Sequence, residues 1–568
     1  MSVDVREAAA VVVVGSFGAN VAVLLWDRLR SAAVFYVPGR RQRPLAGGIA
    51  TATGWISAAS FLSLAGLTAL DGRLGSAYVV GWTAGFVLLA VLVAPALRRA
   101  GRHTVPGYLG ARFGSPAVRR VAAACALLVT VTYLAAQLRG AAVVLSRLLE
   151  LPVGAAVGVA ALLVMLHAAA GRMRALTAGH VVQYVVLAGA YLVLAGAMLQ
   201  VLAGEVLPQR ALFARLSAAG AALLGGAPGA PLFPALVDRA AAAGLAPTAD
   251  SARGVADRVA VTLALMAGTV GLPHVLRRFF VVPRRADARA TVAWGLVFVV
   301  VLYSAVPAVA LAVRATLVGT LDGAPRPPAW VQAWAPTGLV RIDPGVGPLQ
   351  LAGDSGGAGR VEAGPARPLV HVDPDLLVLA APEALGLSPW IVALAAAGAL
   401  AAAISSAAGL VLAAAASVVQ DLAPGAPAGR DDRITRRAAV SAGVLAVAVA
   451  AALALRPPGS VVQLVALAFG VAAAAFFPAL VAGAFWPRVT GRAALWGMVV
   501  GAALTVGYVH WFRFLHPERD LSAAWWFGIS PEGFGAVGAA LGAAVLVVVS
   551  LLWPAAARPP TGTATEPG

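Results

Sequence analysis

Lysine is missing from this sequence; its 42 strongly basic side chains are all arginine. That excludes a Walker A phosphate loop, whose lysine reaches the bound phosphates. A single cysteine, Cys125, excludes any disulfide within the chain and reads as a small apolar core residue. Charge is scarce as well: 12% of residues are charged, where an ordinary soluble domain has about 25%. A water-facing surface cannot be built from so few charges. There is no HExxH helix, no GxSxG in a strand–turn–helix setting and no cluster of His and Cys ligands, so the chain is not expected to be an enzyme or to hold a cofactor.

What the chain has is hydrophobic length. Apolar residues make up 60% of its 568 positions and the mean hydropathy is +0.87. The apolar runs last about 20 residues, enough to cross a bilayer core as helix. Backbone groups in lipid must be paired within the segment, which favours a helix bundle, and the alternating runs of about 10 residues expected of a β-barrel do not occur. The expected class is an all-α polytopic membrane protein of about 13 transmembrane helices. The spans read as 8–26, 45–67, 76–97, 120–146, 152–169, 178–203, 256–280, 290–318, 388–419, 436–455, 461–486, 491–511 and 532–553. Asp4 and Glu7 precede the first apolar run and Arg28 and Arg30 follow it, the reverse of a signal peptide, so 8–26 reads as an uncleaved helix.

The net charge of +18 raises nucleic acid as a partner. The distribution of arginine argues against it. Loops 27–44, 98–119, 170–177, 281–289 and 420–435 and the turn at Arg488 carry the arginines, and with this span count all fall on one side. The positive-inside rule makes that side cytoplasmic. The expectation is a multi-pass cell-membrane protein with its N-terminus outside and its C-terminus inside. Loops 204–255 and 319–387 are then external. The second is rich in Gly, Pro and Asp, as in Asp322–Pro328 and Ala352–Pro365, and reads as an irregular insertion, either surface decoration or a lid. The tail 556–568 reads as disordered.

Two spans are interrupted by backbone chemistry. Span 45–67 carries Gly54 mid-membrane, and span 256–280 carries Gly268, Gly271 and Pro273. Glycine loosens a helix and proline removes a backbone donor. Either break alone is also what the ordinary use of Gly and Pro in membrane helices would produce. Paired breaks in corresponding helices of two halves point to a transporter site, and these two lie five spans apart.

At these breaks the chain resembles sodium/solute symporters. TGWISAASFLS at 53–63 and GTVGLPHVLRRFF at 268–280 are similar to the signature helices of that family, nearest its cation/acetate branch. YVPGR at 36–40, YLAAQ at 133–137, LAF followed by FP within 467–478, and FWPRVTGRA at 485–493 follow in the family's order. The resemblance implies two inverted repeats of five helices and alternating access around a midplane site. The segments are then a first helix and loop (1–44), the first repeat (45–203), an external loop (204–255), the second repeat (256–486) with its insertion, two further helices (487–555) and the tail.

The resemblance also implies a sodium site made by carbonyls of Thr53, Ile56 and Ala402 and hydroxyls of Ser405 and Ser406, with Asp421 at the end of the same later helix. Sodium is a hard cation that takes oxygen ligands. Read alone, Ser405 and Ser406 are a helix-packing pair of small polar residues. The candidate substrate-binding residues are Trp55, Ser57, Phe61, Gln137, Gly271 and His274. Half-helices beginning near Trp55 and Gly271 would turn N–H donors toward a carboxylate, and His274 would order the second break. Three positions depart from the acetate branch: Gly54 stands where an acidic residue is usual, His180 where glutamine is usual, and the segment 472–477 is AAAAFF where small polar residues and an asparagine are usual. His180, near the cytoplasmic end of its span, is the candidate proton or coupling residue. Arg139 either neutralises a carboxylate substrate, pairs internally or faces a water-filled crevice.

The expected function is cation-coupled uptake of a short monocarboxylate, with sodium as coupling ion and a proton as the alternative. A symporter of another small solute and a transporter-like sensor are the competing readings. Expected partners are the organic anion, the ion and the lipid bilayer, without nucleic acid; no oligomeric state is implied.

Overall fold

The computed structural model describes residues 4–30, 44–71, 73–93, 104–170, 173–203, 254–279, 285–321, 324–343, 350–351, 369–422 and 432–554. The loop 204–255 apart from its last two residues, most of loops 27–44 and 420–435, and the tail lie outside them. In chain order the helices are α1 (Val5–Arg30), α2 (Pro44–Trp55), α3 (Leu64–Asp71), α4 (Arg73–Leu88), α5 (Val105–Phe113), α6 (Pro116–Leu149), α7 (Val153–Ala170), α8 (Met173–Ala203), α9 (Val255–Val270) and α10 (Pro273–Phe279). They continue as α11 (Arg285–Tyr303), α12 (Val306–Leu321), α13 (Ala329–Trp334), α14 (Leu377–Ala384), α15 (Pro389–Ala416), α16 (Asp432–Leu455), α17 (Val461–Phe485), α18 (Gly491–His510) and α19 (Phe534–Leu552). Wider π turns precede α3 at Ala59–Ser63 and follow α15 at Ser417–Leu422.

Among the described residues, ten helices are long and apolar enough to cross a membrane, or eleven with the bent pair Pro44–Trp55 and Ala59–Asp71, whose halves meet at 70°. Two of the expected spans fall short of that length. Val153–Ala169 is a shorter apolar helix, and α9 stops after 16 residues, where Gly271 and Leu272 leave the helix. The span expected at 290–318 is broken at Ser304–Ala305 into α11 and α12, just before Pro307. Loop 98–119 contains a helix, α5, which Thr104 caps by accepting from Gly107 N.

Buried residues fill 83% of the apolar windows of α15 and α17, but 17% of that of α1, which locates the centre of the bundle. A helix apolar on every side suits that position. Helix α15 packs on α6, α7 and α8; α17 packs on α6 and α9; α2 packs on α8 and α11, and α9 on α4. Helix α16 lies against α6 and α7, and α1 leans on α8 and α15.

Of the insertion 319–387, expected to be irregular, the stretch 352–365 lies outside the described residues, and the described part contains a small sheet. Strands β1 (Val340–Asp343), β2 (Gln350–Leu351) and β3 (Leu369–Val372) form a sheet in the order β1–β3–β2, antiparallel between β1 and β3 and parallel between β3 and β2. The apolar run Leu376–Val378, fully buried beyond β3, explains the difference: it has a core to enter.

Helices α18 and α19 carry matched GxxxG stretches, Gly497–Gly501 and Gly538–Gly542. A Cβ on Gly497 would lie 2.8 Å from Gly542 O, and one on Gly501 2.9 Å from Gly538 O. With no other large driving force between helices in lipid, such close backbone approach supplies the packing. Gly501→Leu should therefore lower the unfolding free energy of the detergent-solubilised protein by about 1–3 kcal/mol, read as a lower melting temperature. Gly507→Leu, where nothing lies within 4 Å of the added carbon, serves as the comparison and should melt with the parent.

Candidate functional site

Helix α2 ends at Trp55. Its final bond runs from Ile56 N to Ala52 O (2.7 Å), and helical bonding resumes with Phe61 N donating to Ser57 O (3.0 Å). The last carbonyls of a helix have no partner within it. One of them, Thr53 O, accepts from Ser405 Oγ on α15 at 3.3 Å, while the same hydroxyl lies 3.0 Å from Ala402 O. Thr53 Oγ1 donates to His180 O on α8 at 2.8 Å, and His180 Nε2 lies 3.2 Å from Ser405 O. Ser406 Oγ is buried without a partner among the described residues.

Three helices thus meet at the break through Thr53, Ala402, Ser405 and His180, with Ile56 and Ser406 buried next to them in the chain. The donor set is neutral oxygen throughout, carbonyls and hydroxyls, which suits a hard monovalent cation. The Ser406 hydroxyl, buried and unpartnered among the described residues, has lone pairs free to join such a donor set. His180 is 3% exposed and forms part of the wall of this site, deeper than its place near the end of the span suggested.

Around the same break stands a set of aromatic rings. Trp55 packs edge-on against Phe86 (5.3 Å between centroids) and Phe469 (6.3 Å). Phe469 also meets Trp82 (5.9 Å) and Tyr133 (5.8 Å), and Tyr133 meets His274 edge-on at 5.2 Å. Tyr303 joins through Trp82 and a 2.9 Å hydrogen bond with Ser60. Trp55 and His274, two of the expected substrate residues, therefore line one aromatic wall, and Ser57 is buried two residues after Trp55 at the same break. Gln137 Oε1 accepts from Ala58 N (3.0 Å), capping the second half-helix, while its buried Nε2 has no partner among the described residues.

Phe61 and Gly271 sit elsewhere. The Phe61 ring packs on Tyr191 at 5.0 Å, toward α8. Gly271 N already donates to Gly268 O (2.9 Å), and a Cβ at Gly271 would fall 2.8 Å from Ala472 O and 2.9 Å from Phe476 Cβ. Its backbone is closed against α17 and offers no free donor here. Within the departing segment AAAAFF, Ala474 faces Gly501 and Gly538 on the outer helices, away from this wall. Phe469, Tyr303 and Trp82 were not singled out in the sequence. One signal was present: Tyr78, Trp82 and Phe86 recur every fourth residue and so share a helix face.

Residues 369–384 of the insertion dock as a cap, or lid, on α3, α6 and the start of α17. Asp373 Oδ2 accepts from Arg139 Nη2 on α6 at 3.1 Å. Both oxygens of Asp375, which is 1% exposed, lie within bonding reach of Val461 N at the start of α17 (3.1 and 3.0 Å). Ser63 Oγ accepts from Val462 N at 3.0 Å, and Pro374 O lies so close to Gly66 that no side chain fits there. Farther out, Arg147 holds both oxygens of Glu383, each at 3.3 Å. At the opposite end of α6, Arg119 Nε donates to Asp421 Oδ1 (3.0 Å), as does Thr104 Oγ1 (3.1 Å). These groups line a cavity of about 420 Å³.

The comparisons agree with a transporter fold. The model of the Sodium:solute symporter family matches residues 35–322 and 379–501. An uncharacterized symporter of Cupriavidus necator is 33% identical over 92% of this chain and 88% of its own length. A monocarboxylic acid transporter of Corynebacterium glutamicum is 32% identical over 47% of this chain and 48% of its own length. A substrate-bound, outward-open structure of a Na+-coupled sialic acid symporter matches with a TM-score of 0.65 at 13% identity, over 97% of this chain and 99% of that one. The chain belongs to the Sodium:solute symporter family. It is a multi-pass membrane protein and a symporter of a small solute with sodium.

Burial, with Asp373 alongside, pushes the Asp375 carboxyl up to about 8; Arg139 across from it on α6 acts in the opposite sense. A carboxyl with a higher pKa docked than undocked stabilises the docked lid fully below the ordinary aspartate range, and that contribution is lost as pH rises to about 8. The melting stability of the purified protein should decline from about pH 5 to about pH 8 by at most ~1.4 kcal/mol per pH unit. Asp375→Asn, uncharged throughout, should flatten that profile. An unaltered slope in the variant would remove Asp375 as its source.

Proposed function

We propose that the protein takes up a short monocarboxylate, such as acetate, propionate or pyruvate, across the cell membrane together with sodium, by alternating access. The observation that carries this reading is the contact of Ser405 Oγ with Thr53 O at the α2 break, beside the unpartnered Ser406 hydroxyl. Sodium bound there by Thr53, Ile56, Ala402, Ser405 and Ser406 would tie α2 to α15. Moving one such charge inward gains about 2.3 kcal/mol per 100 mV of membrane potential. His180, touching Ser405 O, is the residue through which a proton would act if it replaced sodium.

Thirteen spans with an inverted repeat remain the preferred topology, N-terminus outside and C-terminus inside. The packing pairs support it. Exchanging each helix with its counterpart five spans away in the other repeat converts α2–α11 into α9–α4, α2–α8 into α9–α17, α15–α8 into α6–α17 and α15–α7 into α6–α16, while α6–α15 and α7–α16 map onto themselves. The lid then lies outside and the Arg119–Asp421 contact inside, and each must part in turn.

For the solute, Arg139 beneath the lid is a buried cation above an aromatic wall that suits a short apolar tail. The partial match to a monocarboxylic acid transporter points the same way. Trp55, Ser57 and His274 belong to the solute wall, with Gln137 at its cap. Phe61 and Gly271 would join it only after α8 and α17 shift.

Proteoliposomes with an imposed sodium gradient should accumulate radiolabelled acetate, and propionate or pyruvate should compete. Ser405→Ala/Ser406→Ala should lower uptake at low sodium at least tenfold at equal protein abundance. Uptake driven by a proton gradient alone, or unchanged in the double variant, would sink the sodium assignment. Acetate that moves under neither gradient would sink the solute assignment.

A further inference from the structure

Arg139 is 9% exposed, and its guanidinium is only partly used. Nη2 reaches Asp373, while the buried Nε has no partner among the described residues. A guanidinium presents five donors in a planar fork matched to a carboxylate. Arg139 is thus a buried cation with donors to spare, and the group that occupies it belongs to a lid.

The lid is an addition to the family framework, since the family match omits residues 323–378 and with them Asp373, Pro374 and Asp375. The Asp373 side chain is held for this task. Its Oδ1 accepts from Asp375 N (2.9 Å), and its backbone N donates to Leu339 O (3.0 Å), which ties the residue to the chain just before β1. The Asp373 side chain is 22% exposed, so it can return to water, whereas Arg139 on its long helix cannot.

We propose that Asp373 is a tethered competitor of the transported anion: its carboxylate occupies Arg139 while the lid is docked, and the solute's carboxylate takes its place when the lid lifts. This rests on the monocarboxylate reading above. Charge is conserved in the exchange, one carboxylate replacing another, so the buried guanidinium keeps a counter-ion in both states. A buried cation left alone would be strongly destabilising. A neutral isostere such as acetamide has no charge to exchange and does not displace the lid.

The test uses purified full-length protein with acetate and acetamide as probes. Asp373→Asn keeps the oxygen that caps Asp375 N and removes the charge. It should tighten acetate binding, measured by calorimetry, at least fivefold, and leave acetamide unbound. Arg139→Gln should abolish acetate binding. The lid itself is read by maleimide labelling of Ala380→Cys, a buried α14 position, in a Cys125→Ala background. Acetate should speed labelling several-fold, and Asp373→Asn should label fast without acetate. Acetate affinity unchanged or weakened in folded Asp373→Asn, or labelling slowed by acetate, would overturn the exchange. Full acetate binding by Arg139→Gln would overturn it by a separate route. If the parent protein binds no acetate or propionate, the solute reading has failed, and labelling still distinguishes the latch: equal rates in parent and Asp373→Asn would show that Asp373 holds nothing down.

Discussion

A carbonyl released from a helix inside a bilayer has no water to turn to, so some other part of the protein must meet it. The break after Trp55 releases several such groups, and the neighbouring helices are arranged around them. Ser405 crosses to Thr53 O, Thr53 crosses to His180 O, and Gln137 caps the restarted helix at Ala58. None of these contacts would be needed if α2 ran on unbroken. An ion site of neutral oxygens is then a small further step, because the oxygens are already gathered and already imperfectly satisfied.

The second break is handled differently. Gly268 and Gly271 bring α9 against the backbone of α17, and the chain there is covered by packing, with Phe476 filling the angle. The two breaks occupy corresponding places in the chain, yet one is closed by polar groups and the other by close contact. That contrast is why the sodium is proposed at the first.

Much of this was legible in the residues. Gly54 in TGW, and Gly271 with Pro273, announced interruptions because they weaken or remove helical bonds, and the structure breaks within two residues of Trp55 and at Gly271. Ser405 and Thr53 were expected together and are. The aromatic wall was less legible, because Phe469 and Tyr303 become neighbours of Trp55 only through tertiary packing. A lid was one of the two readings left open for the insertion, but its docking was hidden for a related reason: its Gly- and Pro-rich flanks outweighed the short apolar run Leu376–Val378 that docks it. His180 looked peripheral from its place in the span, since span position does not tell how deeply α1, α2 and α15 cover that end of α8.

Helix α6 runs without interruption from Pro116 to Leu149 and carries Arg119 near one end and Arg139 near the other. Twenty residues of helix measure about 30 Å, close to the hydrocarbon thickness of a bilayer. One stiff rod therefore grips Asp421 on one side and Asp373 on the other. A rod held at both ends behaves as a see-saw: any tilt that lengthens one grip swings the far end the opposite way, so neither grip is mechanically independent of the other.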